Sequence, residues 1–513
     1  GAIRALGSEI RGGEAFHTGC IPFYKYFQTA VKCCSQGGVR GGAATLFYPF
    51  WHREYEELVV LKNNKGVEEN RVRGLDYGVQ LNGLFYKRFL QKGVITLFSP
   101  SDVPELLEAF YSDQEKFEEL YVKYENDPEL KGKTKVIKAQ DAMTKLANER
   151  ASTGRIYIQN IDHCNTHSSF LEAIAPVKQS NLCMEITLPT KPLNNVDDPD
   201  GEIALCTLAA FNLGEFSMDN LHELEETADV AVRALDNLLS YQDYPVEAAR
   251  KTLKRRALGV GVVNFAHFLA KNGVRYSDGS ANNTTHRLFE AIQYYLIKAS
   301  MKLAQEKGAC EWFNETKYSK GIFPIDTYKK SVDGLVTVDL ELDWESLKAD
   351  VAKYGMRNST LSALMPSETS SQIVNATNGI EPPRGHVSVK ASKDGILKQV
   401  VPNLSELKDN YELLWDIPSN SGYLQLVGIM QKFVDQSISA NTNYDPERFV
   451  GGKVKVAQII KDLLDAYKFG VKTLYYHNTR DGQNDESTKP TETKAVVAVE
   501  QDSDDECGGG CKI

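Results

Sequence analysis

Apolar positions along the chain recur with two periods, and their alternation sets the expected class. Short runs such as Leu58-Val59-Val60, Val94-Ile95-Thr96-Leu97-Phe98, Arg155-Ile156-Tyr157-Ile158 and Ile203-Ala204-Leu205-Cys206 read as strands. Between and after them lie charged stretches with apolar residues at helical spacing, at 102–124, 219–241, 283–307, 411–415 and 461–473. Strands interleaved with amphipathic helices make an α/β fold. After Arg480 the periodicity stops. Residues 481–513 are acidic and polar apart from Val496-Val497-Ala498-Val499, and they read as a flexible tail behind a body spanning 1–480. At 513 residues the chain exceeds the usual single domain, so one large α/β domain with appendages and two to three domains are both open.

Composition narrows the class. The chain is 42% hydrophobic and 25% charged, with no apolar run long enough to span a bilayer. The opening Gly1-Ala2-Ile3-Arg4 carries no leader pattern, which points to the cytoplasm, and its missing Met fits either processing or an absent upstream part. Nine cysteines, an odd number at irregular spacing, favour a redox or catalytic use over a disulfide framework. A net charge of -10 argues against nucleic acid as the main ligand, though a local cluster of donors suffices for a small anion.

Several stretches carry candidate chemistry. In an extended Asn181-Leu182-Cys183-Met184-Glu185, residues 181, 183 and 185 share a face, so an amide, a thiol and a carboxylate would line one site. The plain alternative is a strand edge with a buried cysteine. The glycine-rich run 35–42 centres on Arg40, with Arg4 and Arg11 upstream. It reads as an anion-binding loop or as a mobile surface loop. Met365-Pro366-Ser367-Glu368-Thr369-Ser370-Ser371-Gln372 has capping-box spacing and hydroxyls suited to a phosphate, although most such runs are plain helix caps. His163, Cys164 and His167 are potential metal ligands without a second clustered half, so they are read as structural and no metal is expected. Tyr475-Tyr476 follow a helical stretch. The tail ends in Cys507 and Cys511, and a coil of its length reaches roughly 30 Å.

Together with Gly201-Glu-Ile-Ala-Leu-Cys206 and Asn378-Gly-Ile-Glu-Pro-Pro-Arg384, these motifs resemble the large subunit of class Ia ribonucleotide reductases, from about residue 2 to the C-terminus. The resemblance implies a ten-stranded α/β barrel of two antiparallel five-stranded halves, with the radical cysteine on a loop at its centre. By resemblance Cys183 is that thiol, Glu185 the acceptor of the substrate 3′-hydroxyl proton, and Asn181 a holder of sugar hydroxyls. Glu368, Thr369, Ser370 and Ser371 would seat the diphosphate of a ribonucleoside diphosphate. Tyr475 and Tyr476 would carry a radical supplied by a diiron-tyrosyl small subunit, unless they are two aromatic core residues. Arg4, Arg11 and Arg40 would bind a dNTP or ATP effector at a dimer interface. Cys206 would belong to the active-site dithiol, and Cys507 and Cys511 would reduce it before thioredoxin or glutaredoxin reduces them. No cofactor bound in this chain and no nucleic-acid or membrane partner are expected.

The chain begins after the segment that should supply the partner of Cys206, the first barrel strand and the N-terminal activity domain. It therefore reads as the C-terminal piece of a split large subunit completed by a separate N-terminal polypeptide. A noncatalytic nucleotide-binding remnant or decoy subunit and an artificial truncation are the alternatives. A glycyl-radical enzyme is disfavoured, because the terminal glycines lie between cysteines and the Tyr-Tyr pair points to an imported radical.

Overall fold

The computed structural model describes residues 2–38, 40–392 and 395–480, with backbone alone at 36, 40, 390–392 and 395–397. Its organising feature is a wall of strands. Thr45–Pro49 (β1), Asp76–Leu81 (β2) and Ile156–Asn160 (β3) are parallel, and β3 pairs antiparallel with Thr473–Thr479. Beyond lie Leu208–Asn212 (β4) paired with Gly259–Val263 (β5), and Ala440–Tyr444 (β6) paired with Thr473–Thr479 (β7), each parallel. Bridges from Val260 to Ser362 and from Leu364 to Ile438 add a lane at 362–364. The lateral order is thus β4, β5, 362–364, β6, β7, β3, β2, β1, five lanes running one way and three the other across one antiparallel seam. Among the described residues the wall ends at β4 and β1 and does not close, so they form an α/β wall of eight lanes, short of the expected ten-stranded barrel lacking only its N-terminal part.

Strand alternation gives the wall two faces. Ile156, Ile158, Tyr48, Tyr77, Val79, Leu81 and Leu474 belong to the large core shared with the helices. These include Ala139–Thr153 (α1), Leu224–Tyr241 (α2) and Asn282–Lys307 (α3). The residues between them face the other way. Phe47, Tyr157 and Tyr475 form a second, small cluster with Met184, which comes from a loop. Gly78 must be glycine here, since a Cβ would lie 2.4 Å from the Phe47 ring.

Several elements differ from their sequence pattern. Leu58-Val59-Val60 is the end of a helical turn, Tyr55–Leu58, continued by turns. The stretch 102–124 is two helices, Pro104–Ser112 and Gln114–Glu125, because Asp113 is extended and caps the second through Lys116 N–H at 3.0 Å. Ile203–Cys206 is not a strand. Glu202 is drawn to Arg255 and Ile203 N–H bonds Ala248 O at 3.0 Å, so pairing starts only at Leu208. At 411–415 there is only the turn Leu414–Asp416. The last helix among the described residues is Val456–Lys468, stopped by Gly470 at φ +77°, so Tyr475-Tyr476 lie on a strand. No described helix is long and apolar enough to cross a membrane. The tail, with Cys507 and Cys511, lies outside the described residues.

Candidate active site

Residues 181–185 form a turn and not the expected extended segment. Met184 N–H reaches back to Asn181 O at 3.3 Å, and Met184 adopts φ +75°. A non-glycine residue there costs about 1–3 kcal/mol. Fully burying the Met184 side chain returns a comparable ~1.5–3 kcal/mol, and the anchoring bonds add about 1 kcal/mol each. Those anchors come from the wall. Thr45 donates to Leu182 O at 3.3 Å, Thr473 to Met184 O at 3.0 Å, and Ser437 N–H to Glu185 O at 3.0 Å. The turn is therefore held by β1, β7 and the segment leading into β6.

This turn brings the three predicted groups together by a different route. Asn181 Nδ2 donates to Glu185 Oε1 at 2.8 Å, while its Oδ1 accepts Ile186 N–H at 3.1 Å. Ser439 Oγ, with one proton to give, lies 3.1 Å from Glu185 Oε2 and also reaches Cys183 O. Burial raises the pKa of the Glu185 carboxyl, and the Asn181 and Ser439 bonds only partly oppose that. Such a carboxyl takes a proton more readily than an exposed one.

Cys183 Sγ lies 3.7 Å from Tyr475 OH, and the Tyr475 and Tyr476 hydroxyls are 2.7 Å apart. Their rings stack at 3.8 Å between centroids, with Tyr157 packed 4.8 Å from Tyr475. Arg155 donates to Tyr476 OH at 3.0 Å and sits over its ring at 4.4 Å. The Tyr475 hydroxyl is within donor reach of both the Tyr476 oxygen and the Cys183 sulfur, and Arg155 donates to the same Tyr476 oxygen. The arrangement is a row of redox-capable groups ending at sulfur.

Consecutive strand residues normally face opposite sides. The tyrosines stack because β7 bulges: Ala440 is opposite Leu474 but Thr442 is opposite His477, so Tyr475 and Tyr476 together face Asn441. Asn441 Oδ1 accepts Tyr476 N–H at 3.0 Å.

Other predicted residues are more dispersed. Glu368, Thr369, Ser370 and Ser371 follow directly from the 362–364 lane, where the chain leaves the wall. Ser367 N–H bonds Asn378 Oδ1 at 2.7 Å, tying this turn to the Asn378–Arg384 motif. The helix there is only Ser370–Ile373, and Thr369 makes no capping bond, so the capping box does not form. In the neighbouring motif, burial pushes the Glu381 carboxyl up to about 7, against its bond from Tyr423. Cys206 is half-buried just before the edge strand β4, where Thr207 O accepts Gly259 N–H at 2.8 Å. Arg4 is exposed and donates to Glu9 O at 3.4 Å, and Arg11 is exposed at φ +52°. Arg40 lies in a hairpin, opposite Gln36, whose turn uses Gly37 and Gly38 at φ +60° and +72°.

The metal candidates resolve as structure. His167 bonds Thr327 and Gln431 O, and His163 bonds Val471 O. Cys20, His52 and Glu54 are the one three-ligand group among the described residues. The Glu54 carboxylate already accepts the N–H groups of Leu6 and Cys20. His52 Nδ1 accepts Glu54 N–H at 3.1 Å, leaving the Nε2 proton for Ile3 O at 2.8 Å, and burial lowers its pKa to about 4. The donors are spent on backbone groups, so the cluster ties residues 3–6 to the wall.

Sequence reasoning missed Arg155, Tyr157, Thr473, Ser437, Ser439 and Asn441. A usable signal existed for the last three, as Ser437, Ser439, Asn441 and Asn443 alternate at strand spacing.

A thiol, a buried carboxylate and a stacked tyrosine pair are thus gathered on one face of an α/β wall. Residues 1–477 match the family model described as ribonucleotide reductase, barrel domain, and the chain belongs to that family. It is 70% identical over its whole length to the ribonucleoside-diphosphate reductase subunit alpha of Haemophilus influenzae, and 68% identical to ribonucleoside-diphosphate reductase 1 subunit alpha of Escherichia coli. Against the subunit alpha of Enterobacteria phage T4 it is 54% identical over 94% of the chain, which is 63% of that relative. The chain spans 66% of the length of the two bacterial relatives.

Proposed function

We propose that this chain is the C-terminal part of a class Ia ribonucleoside-diphosphate reductase large subunit, reducing ribonucleoside diphosphates to deoxyribonucleoside diphosphates. The observation that carries this reading is Cys183, seated between Glu185 and the Tyr475–Tyr476 stack. A diiron-tyrosyl small subunit supplies an oxidising equivalent when docked. Tyr476 and then Tyr475 pass it inward, each losing an electron and a proton, and Tyr475 takes the hydrogen of Cys183. The Cys183 thiyl removes the 3′-hydrogen of the substrate and Glu185 accepts the 3′-hydroxyl proton. The C2′ hydroxyl leaves as water with a proton from the dithiol that includes Cys206, and Cys183 finally returns the 3′-hydrogen. Asn181 orients the sugar through the same amide that holds Glu185.

The two electrons come from the same dithiol that includes Cys206, renewed by Cys507 and Cys511 and finally by thioredoxin or glutaredoxin. The 368–371 turn would seat the diphosphate, at the end of lanes where ligands of α/β sheets commonly bind. Arg4, Arg11 and Arg40 would bind a dNTP or ATP effector at the interface of a dimer.

The half of the wall holding β1, β2 and β3 is two lanes short of the five in the other half. We infer a ten-stranded barrel whose remaining lanes, and the second cysteine, come from a separate N-terminal polypeptide, all in the cytoplasm. Co-purification of this chain with that polypeptide and the small subunit, followed by an assay of ribonucleoside diphosphate reduction, tests the reading. Turnover only in the full mixture is expected. No turnover in any mixture would move the chain to a noncatalytic nucleotide-binding role.

A further inference from the structure

Arg150 lies in the last turn of α1 and is fully buried, yet no carboxylate is among its partners. A buried guanidinium without a counter-charge is expensive, because desolvation is not repaid by an ion pair. Its hydrogen bonds go instead to neutral acceptors on three strands. Nη1 donates to Ile156 O on β3 at 2.5 Å and to Tyr475 O on β7 at 2.8 Å. Nη2 donates to Tyr476 O at 3.2 Å and to Thr442 Oγ1 on β6 at 3.4 Å. Nε has no partner, so the side chain is placed by its two terminal nitrogens.

Those carbonyls are where ladder pairing is broken. Pairing of β7 with β3 covers only Thr473 and Leu474, and its register with β6 slips at Tyr475 and Tyr476. A bulge leaves backbone acceptors without ladder donors, and buried acceptors must be satisfied. Arg150 satisfies two in succession, from the side opposite the rings, while Asn441 takes the Tyr476 N–H. Gly154 closes α1 at φ +70°, where its O accepts His477 N–H at 3.1 Å and its N–H bonds Arg150 O at 2.9 Å. Helix end and bulge are thereby joined on both sides of the guanidinium.

We infer that Arg150 is a positioning residue for radical transfer: its buried guanidinium locks the bulge that turns two consecutive tyrosines onto one face and stacks them. This rests on the proposed function only for its consequence, since the lock itself can be read in the isolated chain. The test replaces tyrosine throughout the full chain with 3-fluorotyrosine and follows the 19F resonances of residues 475 and 476, assigned with Tyr475→Phe and Tyr476→Phe. In Arg150→Gln, both resonances should lose their ring-current shift, with a change at their neighbour Tyr157, while tyrosines away from the stack keep theirs. Arg150→Lys, a cation with fewer donors, should fold and show a smaller displacement of the same two signals.

In the enzyme completed with its N-terminal polypeptide and small subunit, Arg150→Gln should lower turnover about a hundredfold, as misplacement of reacting groups does, with nucleoside diphosphate affinity unchanged. Unmoved 475 and 476 resonances in either folded variant would overturn the assignment. So would a general loss of dispersion in both variants, which would make Arg150 a support of the fold and nothing more. Should only the glutamine variant fail to fold, the lysine variant decides. A displaced pair of resonances beside an unmodified enzyme without turnover would retire the proposed function and leave the lock standing.

Discussion

The neighbourhood of Cys183 and the surroundings of Arg4 and Arg11 are built on opposite principles. Around Cys183, anchors from β1, β7 and the segment leading into β6 join a bond within the turn, so the turn, the carboxylate and the tyrosines are set before any ligand arrives. Around Arg4 and Arg11 the elements are two-residue strands and a single turn, the guanidiniums are exposed, and left-handed glycines shape the chain. The first region can direct a reactive group without reorganisation, which is where placement matters most. The second leaves its guanidiniums exposed, where the proposed function puts an effector or a second subunit. Chemistry here is preorganised and binding is conditional.

The largest expected effect tests the first half of that contrast. Cys183→Ser should remove turnover by at least about a millionfold if the thiol is obligatory, since a serine O–H is too strong to exchange hydrogen with a sugar C–H. Effector and substrate binding, measured by equilibrium dialysis on the completed enzyme, should stay as before. Surviving turnover would break the comparison at its root.

A smaller effect probes the electrostatics of the same turn. Burial raises the Glu185 pKa, so the carboxylate form that accepts a proton is lost on acidification at a higher pH than for an exposed glutamate. The rate should therefore rise with pH along an acid limb above the ordinary carboxylate range. Glu185→Gln should cost about a hundred- to ten-thousandfold and abolish that limb, as the kcat profile against pH would reveal. An unchanged limb would assign it to another group.

The smallest effect belongs to the second region. Arg4→Ala and Arg11→Ala should each weaken dNTP binding about tenfold, as loss of a charge-assisted bond does, yet move Tm very little because both side chains are exposed. A marked fall in Tm without change in effector affinity would mean that these arginines hold structure and not a ligand.

Much of the fold was legible from periodicity. The helices at Leu224–Tyr241 and Asn282–Lys307 and the strands at Val94–Leu97 and Ile156–Asn160 fall where the pattern puts them. The misplaced elements have two causes, capture by a distant partner and a local break in the chain. Ile203–Cys206 has strand composition, but Arg255 and Ala248 capture its start. The stretch 461–473 looks helical throughout, but Gly470 ends it early and commits Thr473 to the sheet. At the site, the residue types of Asn181, Cys183 and Glu185 were informative while the assumed extended backbone was not, because burial of Met184 together with the bonds from the wall offsets the strain of its left-handed φ.

What the sequence determined by itself is local: the α/β alternation and the motifs whose residue types suit radical and phosphate chemistry. What the tertiary structure decided is everything that depends on register. Alternation alone sends Tyr475 and Tyr476 to opposite faces. Only the slip against β6, with Arg150 satisfying the freed carbonyls, brings them together. A bulge is a relation between two strands, so neither strand records it alone. A buried charge is likewise tolerable only through its neighbours, and three of the four acceptors of Arg150 lie 292 to 326 residues away.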